Sequence, residues 1–358
     1  MSKKRVLIGL SGGVDSSVAA HLLKEQGYAV DALFMKNWND DDGSPYCSIK
    51  EDFMDASFVA DQLNIKLVQE NFSEQYKTKV FNYFLRELKR GRTPNPDILC
   101  NREIKFDVFY NYAMEKGYDF IATGHYAQIK NINKRLALYK GVDNNKDQSY
   151  FLYSVPKSTY SKILFPLGSL YKKDVRAIAK DIHLVTSNKK DSTGICFIGE
   201  RPFPEFLSEY IASEKGDIID SNNKQIGTHN GLPFYTLGQR KGLGIGGMKD
   251  SNNNPWYVAE KDLENNTLKV VQGNCNKLLM SKELLIKNLE THHALTDDTK
   301  YSVKVRYRQA DQDCVIKKED SQYRVLFDKS QRAITPGQSA VIYKDNECIG
   351  GGEIDSIN

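Results

Sequence analysis

The nine residues GLSGGVDSS, at positions 9–17, lie between a short apolar run, Val6 to Leu10, and a helical pattern that begins near Ser16. The adjacent glycines Gly12 and Gly13 allow successive backbone N–H groups to turn inward, and the N-terminus of the following helix adds a partial positive charge. The segment therefore predicts a phosphate-binding loop at the carboxyl end of a first strand.

Hydroxyl and carboxyl side chains accompany the two glycines. Ser11, Ser16 and Ser17 can donate hydrogen bonds to phosphate oxygens. Asp15 has the wrong charge for a phosphate ligand, so we expect it to hold a Mg²⁺ ion that bridges phosphates. The loop lacks the Gly-Lys-Ser/Thr ending of the Walker type, which indicates a different class of nucleotide loop.

Two other interpretations of this loop are open. Gly9 to Gly13 also fits the G-x-S-x-G nucleophile elbow of α/β hydrolases, but there the oxyanion hole needs an earlier strand and loop, whereas Ser11 follows the first strand. A tight turn followed by a helix cap would also explain the glycines and serines. The nine-residue length and the strand-loop-helix context favour the phosphate loop.

The first part of the chain predicts a doubly wound α/β fold with a parallel sheet. From residue 4 to about residue 200, short β-rich runs alternate with helical patterns. The predicted strands are Val6 to Leu10, Ala29 to Met35, Ile65 to Glu70, Asp119 to Thr123 and Lys162 to Leu167. The predicted helices are Ser16 to Gln26, Lys50 to Leu63, Gln75 to Lys89, Phe106 to Lys116 and Lys173 to Ile182.

The remainder of the chain predicts small β-rich domains. Short alternating segments are broken by Gly, Asn and Pro. The predicted strands are Trp256 to Ala259, Thr267 to Val271, Tyr301 to Tyr307, Tyr323 to Phe327 and Ala340 to Tyr343. We expect three domains, at residues 1–200, 201–275 and 276–358, the last of them a β-barrel.

Composition narrows the class of protein. The 358 residues carry 50 basic and 46 acidic side chains, a net charge of +4 that neither demands nor excludes a polyanionic partner. No run of about 18 apolar residues and no signal-peptide pattern is present, which predicts a cytoplasmic protein without a membrane segment. The closest cysteines in sequence, Cys314 and Cys348, are 34 residues apart. No CxxC pair is present, so neither a zinc site nor an iron-sulfur cluster is expected.

Two further segments combine cysteines with polar residues. The first, RTPNPDILCNR at positions 92–102, places Asp97 and Cys100 three residues apart and flanks the thiol with Arg92 and Arg102. The arginines could stabilise a thiolate and Asp97 could act as a general base, although a buried cysteine beside a capping aspartate is an equally open interpretation. The second, DSTGICFIG at positions 191–199, places Cys196 where the α/β pattern gives way to the β-rich part, and a turn with a buried cysteine is its alternative.

Taken together, these three segments resemble the tRNA-specific 2-thiouridylases, which belong to the PP-loop ATP pyrophosphatases. Further similar segments are ATGHY at positions 122–126, KDQSY at 146–150, YTLGQRKG at 235–242 and VRYR at 305–308. The resemblance spans nearly the whole chain and no motif position departs from the family pattern. It implies an enzyme that uses ATP and Mg²⁺ to replace an oxygen with sulfur in tRNA, releasing AMP and pyrophosphate.

The resemblance also implies roles for individual residues. Cys196 would receive a persulfide from a cysteine desulfurase or a sulfur-relay protein, with Cys100 as the second thiol and Asp97 as a further catalytic residue. The implied ATP contacts are Gly9, Leu10, Ser11, Gly12, Gly13, Val14, Asp15, Ser16, Met35 and Gly124. The implied tRNA contacts are Asn95, Pro96, Asp97, His125, Asp147, Gln148, Ser149, Tyr307, Arg308 and Gln338. We expect a monomer that acts on the tRNAs for Lys, Glu and Gln.

One basic pattern has a physical basis of its own. In residues 303–308 a period of two would place Lys304, Arg306 and Arg308 on one face of a strand, suited to phosphate contact or simply to a solvated edge. Two other functions remain alternatives: a PP-loop ligase acting on a small carboxylate, which would not need the two cysteines, and a non-catalytic RNA-binding protein with a relic ATP loop.

Overall fold

The computed structural model describes residues 3–38, 49–191, 202–245, 254–296 and 299–357. These residues form two compact units, and the chain passes between them several times. The first unit comprises residues 1–82, 96–201 and 345–349, and the second comprises residues 83–95, 202–344 and 350–358. The sequence predicts three domains that follow one another along the chain, whereas each of these units combines separate parts of the chain. The three-domain division stays a prediction.

The first half of the chain alternates strands and helices. Its strands are β1 Arg5–Gly9, β2 Ala29–Lys36, β3 Leu67–Asn71, β4 Phe120–Ala122, β5 Ala127–Ile132, β6 Arg135–Lys140 and β7 Ile163–Leu164. Its α-helices are α1 Val14–Glu25, α2 Ile49–Gln62, α3 Ser73–Tyr76, α4 Asn82–Lys89, α5 Pro96–Cys100, α6 Phe109–Glu115 and α7 Lys172–Asp181. Two π-helical stretches, Lys77–Phe81 and Asn101–Val108, continue α3 into α4 and α5 into α6.

The sheet of the first unit is parallel, with the order β3-β2-β1-β4-β7. The chain fills one side of β1 first and then crosses to the other, so the strand order reverses between β1 and β4. In open α/β sheets, ligands bind beyond the carboxyl ends of the strands at such a point. The structure confirms the predicted doubly wound fold and places the GLSGGVDSS loop at this position.

Apolar side chains hold the helices onto this sheet. Val6, Ile8 and Ala32 of the sheet are fully buried against Val18 and Val59 of the helices. These strands are apolar on both faces, as expected for a parallel sheet covered by helices on both sides. The core therefore fixes the carboxyl end of β1, from which the loop begins.

The later chain is mostly β-structure. Its strands are β8 Gly216–Ile219, β9 Gln225–His229, β10 Trp256–Asp262, β11 Thr267–Gln272, β12 Met280–Thr291, β13 Tyr301–Lys304, β14 Gln312–Glu319, β15 Gln322–Arg332, β16 Ser339–Lys344 and β17 Glu347–Ile357, with a short helix α8 Phe203–Ser208. Four of them form a sheet in the order β10-β11-β8-β9. The strands β12-β15-β14-β13-β16-β17 form a six-stranded barrel, closed by pairing of β17 with β12.

The predicted strand at residues 301–307, and the basic face built on it, need correction. The predicted strand Tyr301 to Tyr307 ends at Lys304, because the Val305 N–H donates to the side-chain Oε1 of Gln309 (2.8 Å) instead of to a neighbouring strand. Lys304 itself is buried, with its ammonium 5.3 Å from the centre of the Tyr343 ring. The proposed basic face of Lys304, Arg306 and Arg308 is therefore wrong, because this stretch is not one continuous strand.

The hairpin of β5 and β6 was not predicted. Its turn residues, Asn133 and Lys134, both have positive φ values (50° and 65°), as a two-residue hairpin turn requires. Glycine is the usual signal for such a turn, and neither residue is glycine. Within the first unit, β6 pairs with the start of β17 through Tyr139 and Glu347.

Among the described residues, none of the helices has the length and hydropathy needed to span a bilayer.

Candidate functional site

The phosphate loop has the backbone shape that its glycines predict. Gly12 has a φ of +73°, and a Cβ built on it would lie 2.2 Å from the carbonyl oxygen of Asp52. Helix α1 begins at Val14, directly after Gly13, so its N-terminus faces the loop. Free N–H groups and the helix dipole therefore combine at this point, which suits the binding of phosphate groups.

Two predicted ATP residues from outside the loop, Met35 and Gly124, lie against it. A Cβ on Gly124 would lie 2.8 Å from the backbone nitrogen of Ser16, and one on Gly9 would lie 3.1 Å from Cε of Met35. The Ser11 and Ser16 hydroxyls are 3.2 Å apart. The structure thus brings together residues from the ends of β1, β2 and β4, and the donor-rich loop fits a nucleotide triphosphate.

Replacement of Gly12 by alanine is expected to weaken ATP binding at least about tenfold, because the loop or Asp52 must move. The left-handed backbone alone costs an L-residue about 1–2 kcal/mol. Gly27→Ala is a matched control, because Gly27 also has a positive φ (+86°) but nothing lies within 4 Å of its Cβ position. Both variants should be less stable than wild type, but titration with ATP should show weakened binding only in Gly12→Ala. Equal ATP affinity in the two variants would contradict the close approach at Gly12.

The carboxylate of Asp15 is already bound by protein groups. Lys172, the first residue of α7, donates from Nζ to both carboxylate oxygens (2.7 and 2.8 Å), and the Tyr126 hydroxyl donates to Oδ1 (2.7 Å). Burial and the nearby Asp15 charge raise the pKa of Tyr126, so it stays a protonated donor. Among the described residues no cluster of three or more His, Cys, Asp or Glu is arranged to hold a metal ion. Magnesium at Asp15 therefore stays a prediction.

Asp191 is the second anion of this network. It accepts from Lys146 (2.5 Å) and Arg176 (2.7 Å), and the ammonium of Lys172 lies 2.7 Å from it. Burial alone would raise its pKa, but the hydrogen bonds from Lys146 and Lys172 outweigh burial and lower the pKa of Asp191 to about 2. Lys172 thus joins Asp15 of the loop to the first residue of the DSTGICFIG segment.

Asp191→Asn should lower the melting temperature in a pH-dependent way. The folded pKa of about 2 is below the unfolded value of about 3.9, so the ionised carboxylate stabilises the folded protein above about pH 4. That contribution is lost as pH falls through the folded pKa. Thermal melts should show the full difference between variant and wild type at pH 6 to 7 and a narrowing difference from pH 5 to pH 3. A constant difference would show that the charge of Asp191 is not what stabilises the protein.

From Pro96 onward the first cysteine segment is helical, well before the predicted helix start at Phe106, whereas residues 92–95 are not helical. Helix α5 begins at Pro96, and the π-helical stretch follows directly after Cys100. Asp97 and Cys100, three residues apart, therefore lie on neighbouring positions of one helix face. The Cys100 side chain is fully buried. The π-helical geometry beside it is an irregularity that often marks functional sites.

The arginines that flank this segment have carboxylate partners. Arg102 Nε donates to Glu103 (2.8 Å), and Arg92 forms ion pairs with Glu87, Glu353 and Asp355. The positive charge of Arg92 is therefore balanced by these carboxylates. Its role is to bind them and not to stabilise a thiolate at Cys100. Cys47 and Cys196 lie outside the described residues, so the predicted pairing of Cys100 with Cys196 is untested.

Several predicted tRNA contacts lie in the interior of the first unit. Asp147 accepts from the N–H groups of Gly141 and Ser149 (both 3.1 Å), and Gln148 Oε1 accepts from the Tyr126 N–H (2.9 Å). Asp147 and Ser149 are buried. These contacts show a structural role for the two side chains, and their contact with tRNA stays a prediction.

His125 is also buried, between the rings of Phe106 and Phe165 at 6.0 Å from each. Its Nδ1 is 2.7 Å from the Thr123 hydroxyl. Burial, and secondarily the charge of Lys105, lowers the pKa of His125 well below its usual value. The imidazole is therefore neutral at physiological pH and offers a ring and a hydrogen bond instead of a positive charge.

The remaining predicted tRNA contacts lie in the second unit. Arg308 is exposed, while Tyr307 and Gln338 are partly buried. The amide nitrogen of Gln338 donates to the carbonyl oxygen of Thr93 (2.7 Å).

Comparison with known sequences identifies the family. The pattern described as "tRNA methyl transferase HUP domain" matches residues 4–200, followed by a "tRNA methyl transferase PRC-barrel domain" at 204–272 and an "Aminomethyltransferase beta-barrel domain" at 281–354. The chain is 54% identical over 356 residues to the tRNA-specific 2-thiouridylase MnmA of Pseudomonas fluorescens Pf0-1, covering 99% of this chain and 95% of that protein. The chain belongs to the tRNA-specific 2-thiouridylase family.

A second 2-thiouridylase, from Pseudomonas aeruginosa PAO1, is 53% identical over 356 residues with the same coverage of 99% and 95%. Among solved structures, an NMN synthetase from Francisella tularensis has a TM-score of 0.34 at 20% identity, covering 58% of this chain and 78% of that one. A 4-thiouridine synthetase–RNA complex with bound ATP has a TM-score of 0.35 at 17% identity, covering 57% and 50%. Both scores are too low to indicate a shared function.

Lys172 and Tyr126 contact Asp15 of the loop, and the sequence did not reveal either contact. Lys172 is 157 positions from Asp15 in the chain, and no local pattern connects the two. A signal for Tyr126 was present, because ATGHY was already among the family segments.

Proposed function

We propose that this protein is an ATP-dependent tRNA-uridine 2-sulfurtransferase that thiolates the wobble uridine of the tRNAs for Lys, Glu and Gln. The observation that carries the proposal is the phosphate loop, with a left-handed Gly12 and the N-terminus of α1, in a chain 54% identical to a 2-thiouridylase. Methyl transfer, named in the family description, has no need of a triphosphate site.

Adenylation explains why ATP is needed. The C2 oxygen of uridine is a very poor leaving group, and transfer of AMP to that oxygen turns it into a phosphate ester that can leave. The oxygen attacks the α-phosphorus and pyrophosphate departs. The loop N–H groups and the ammonium of Lys172 can stabilise negative charge on the departing pyrophosphate.

Sulfur transfer then needs a nucleophile that can be carried safely, and a cysteine persulfide meets both needs. Cys196 would carry it. In the first route the terminal sulfur attacks C2 and AMP leaves, and Cys100 then attacks the Cys196 sulfur and breaks the S–S bond to release the 2-thiouridine. In the second route Cys100 attacks the Cys196 sulfur first, and the released sulfide attacks C2 and displaces AMP. In both routes a disulfide between Cys100 and Cys196 accompanies the product and must be reduced before the next turnover. A cysteine desulfurase, directly or through a relay protein, would supply the persulfide.

The proposal extends to the organisation of the protein. We assign residues 1–200 to ATP binding and catalysis, 201–275 to a central adaptor domain and 276–358 to a barrel that contacts tRNA. The protein would act as a cytoplasmic monomer. Asn95, Pro96 and Asp97 would contact the target base, with Asp97 assisting proton transfer.

The test is to incubate the pure protein with tRNA transcript, Mg-ATP and a sulfide source. Pyrophosphate release and 2-thiouridine, measured by nucleoside mass spectrometry, are expected together. Pyrophosphate without thiouridine would point to a PP-loop ligase with another substrate or to another sulfur donor. Neither product would favour an RNA-binding protein with a relic ATP loop.

A further inference from the structure

Residues 92–95, the start of the first cysteine segment, belong to the second unit and are bound there by the side chain of Arg92. The guanidinium donates to Glu353 Oε1 from Nε (3.1 Å) and NH2 (2.8 Å), and NH2 also donates to the carbonyl oxygen of Ile354 (2.6 Å). NH1 donates to the carbonyl oxygen of Asp355 (3.1 Å). A single side chain thus contacts three consecutive residues of the barrel strand β17.

The backbone of the next residue is bound as well. The Thr93 N–H donates to the carbonyl oxygen of Pro336 (2.9 Å), and the amide of Gln338 donates to the Thr93 carbonyl (2.7 Å). Between these partners, Gly337 has a φ of +92°, and a Cβ on it would lie 2.8 Å from the Thr93 nitrogen. Both polar groups of the Thr93 backbone are therefore satisfied by the turn that precedes β16. We call Arg92, Thr93, Gln338 and Glu353 the barrel clasp.

The charges of the clasp are balanced and mostly shielded from solvent. The side chains of Arg92 and Glu353 are each 16% exposed. Glu353 also accepts from the Tyr83 hydroxyl (2.5 Å) and lies 3.5 Å from the ammonium of Lys287. Burying an ion pair gains little net stability, whereas its many directed hydrogen bonds fix one geometry. The contacts of Arg92 and Thr93 therefore hold residues 92–95 in one geometry on the barrel.

We propose that the barrel clasp is a positioning device for base recognition, with Arg92 as its positioning residue. Asn95 lies two residues beyond Thr93, after the rigid Pro94. It is the last residue of the second unit before the chain enters the first. The clasp sets where Asn95 lies relative to the barrel residues expected to contact tRNA, Tyr307 and Arg308. The inference rests on the proposed function, because it assigns Asn95 to the target base.

The first test compares Arg92→Met with wild type and with Arg324→Met. Arg324 is a matched control, because it is a barrel arginine with two carboxylate partners, Glu319 and Glu283, and is 23% exposed. Arg92→Met should lower kcat for thiolation at least about tenfold through misplacement of Asn95, with little change in KM for ATP or in tRNA affinity. Arg324→Met should leave kcat within about twofold of wild type. A purely structural role would lower only the active fraction, so kcat per ATP-binding site, counted by ATP titration, would stay at the wild-type value in Arg92→Met.

The second test measures the clasp without reference to activity. Because Pro94 and Pro96 have no N–H group and the first two residues of a peptide lose their label, a peptide covering residues 91–97 reports hydrogen exchange only at Thr93, Asn95 and Asp97. Protection of the Thr93 amide should fall in Arg92→Met and persist in Arg324→Met. Arg92→Lys, which keeps the charge but not the forked hydrogen bonds, should be intermediate and serves if the methionine variant does not fold.

Wild-type kcat together with wild-type protection of Thr93 in both Arg92 variants would overturn the clasp. Lost protection with unchanged kcat would overturn its role in positioning. If the wild-type protein does not thiolate tRNA at all, the proposed function fails, and the exchange experiment still decides whether the clasp exists.

Discussion

Lys172→Met is expected to lower the rate of ATP-dependent pyrophosphate release at least about a hundredfold, the size of effect seen when one charge-stabilising donor is removed from an active site. The ammonium of Lys172 is 2.7 Å from Oδ1 of Asp15 and 2.7 Å from Asp191, and its side chain is only 13% exposed. It is the cation that binds Asp15 of the phosphate loop. Without it, the carboxylate of Asp15 loses this cation and would repel the triphosphate.

The control for this experiment is Lys173→Met, one residue further along α7. The Lys173 side chain is exposed and lies over the ring of Tyr171, at 5.7 Å from its centre. The Lys173→Met substitution removes the same charge from the same helix end but leaves the contacts of Lys172 with Asp15 and Asp191 in place. Pyrophosphate release should therefore stay within about twofold of wild type. A wild-type rate in Lys172→Met would show that Lys172 serves only to balance Asp15 and Asp191. Equal losses in both variants would point to the overall charge of the helix end.

The comparison of sequence and structure shows which features a local pattern can predict. The central strands were predicted within one or two residues, since β1 and β2 are apolar runs between clear turn signals. The hairpin of β5 and β6 was missed because its turn, Asn133 and Lys134, adopts left-handed φ values without a glycine. The strand that begins at Tyr301 was predicted too long, because the alternation of side chains continues after Lys304, beyond the last hydrogen bond to a neighbouring strand. Local alternation alone does not determine where pairing stops.

The candidate site shows the same limit. The GLSGGVDSS loop was predictable because its chemistry lies in consecutive residues. The partner of Asp15 was not, because Lys172 is brought to it only by the packing of α7 beside α1. Arg92 was expected near the Cys100 thiol from sequence proximity, whereas its forked hydrogen bonds go to Glu353, 261 positions away. A charged side chain in a loop is placed by its tertiary partners, which a single sequence does not reveal.

With a cysteine desulfurase and cysteine as the sulfur source, Cys100→Ser is expected to abolish 2-thiouridine formation while leaving pyrophosphate release measurable, because adenylation needs the phosphate loop and sulfur transfer from the persulfide needs the second thiol. Serine has nearly the same volume, so the buried position should tolerate it. Cys196→Ser should show the same separation of the two steps. Loss of pyrophosphate release in Cys100→Ser would mean that the cysteine supports the fold of the segment instead of reacting.

A matched control exists in Cys314→Ser in the barrel. Cys314 is as deeply buried as Cys100, and its thiol lies 3.6 Å from the carbonyl oxygen of Tyr301, to which a serine hydroxyl can also donate. Burial raises the pKa of the Cys314 thiol to about 12, so this sulfur is inert at physiological pH. Thiouridine formation should therefore survive in Cys314→Ser. Because Cys100 has no exposed surface here, its alkylation by iodoacetamide should be slow in the free protein and should accelerate with tRNA and ATP if the thiol becomes accessible for reaction.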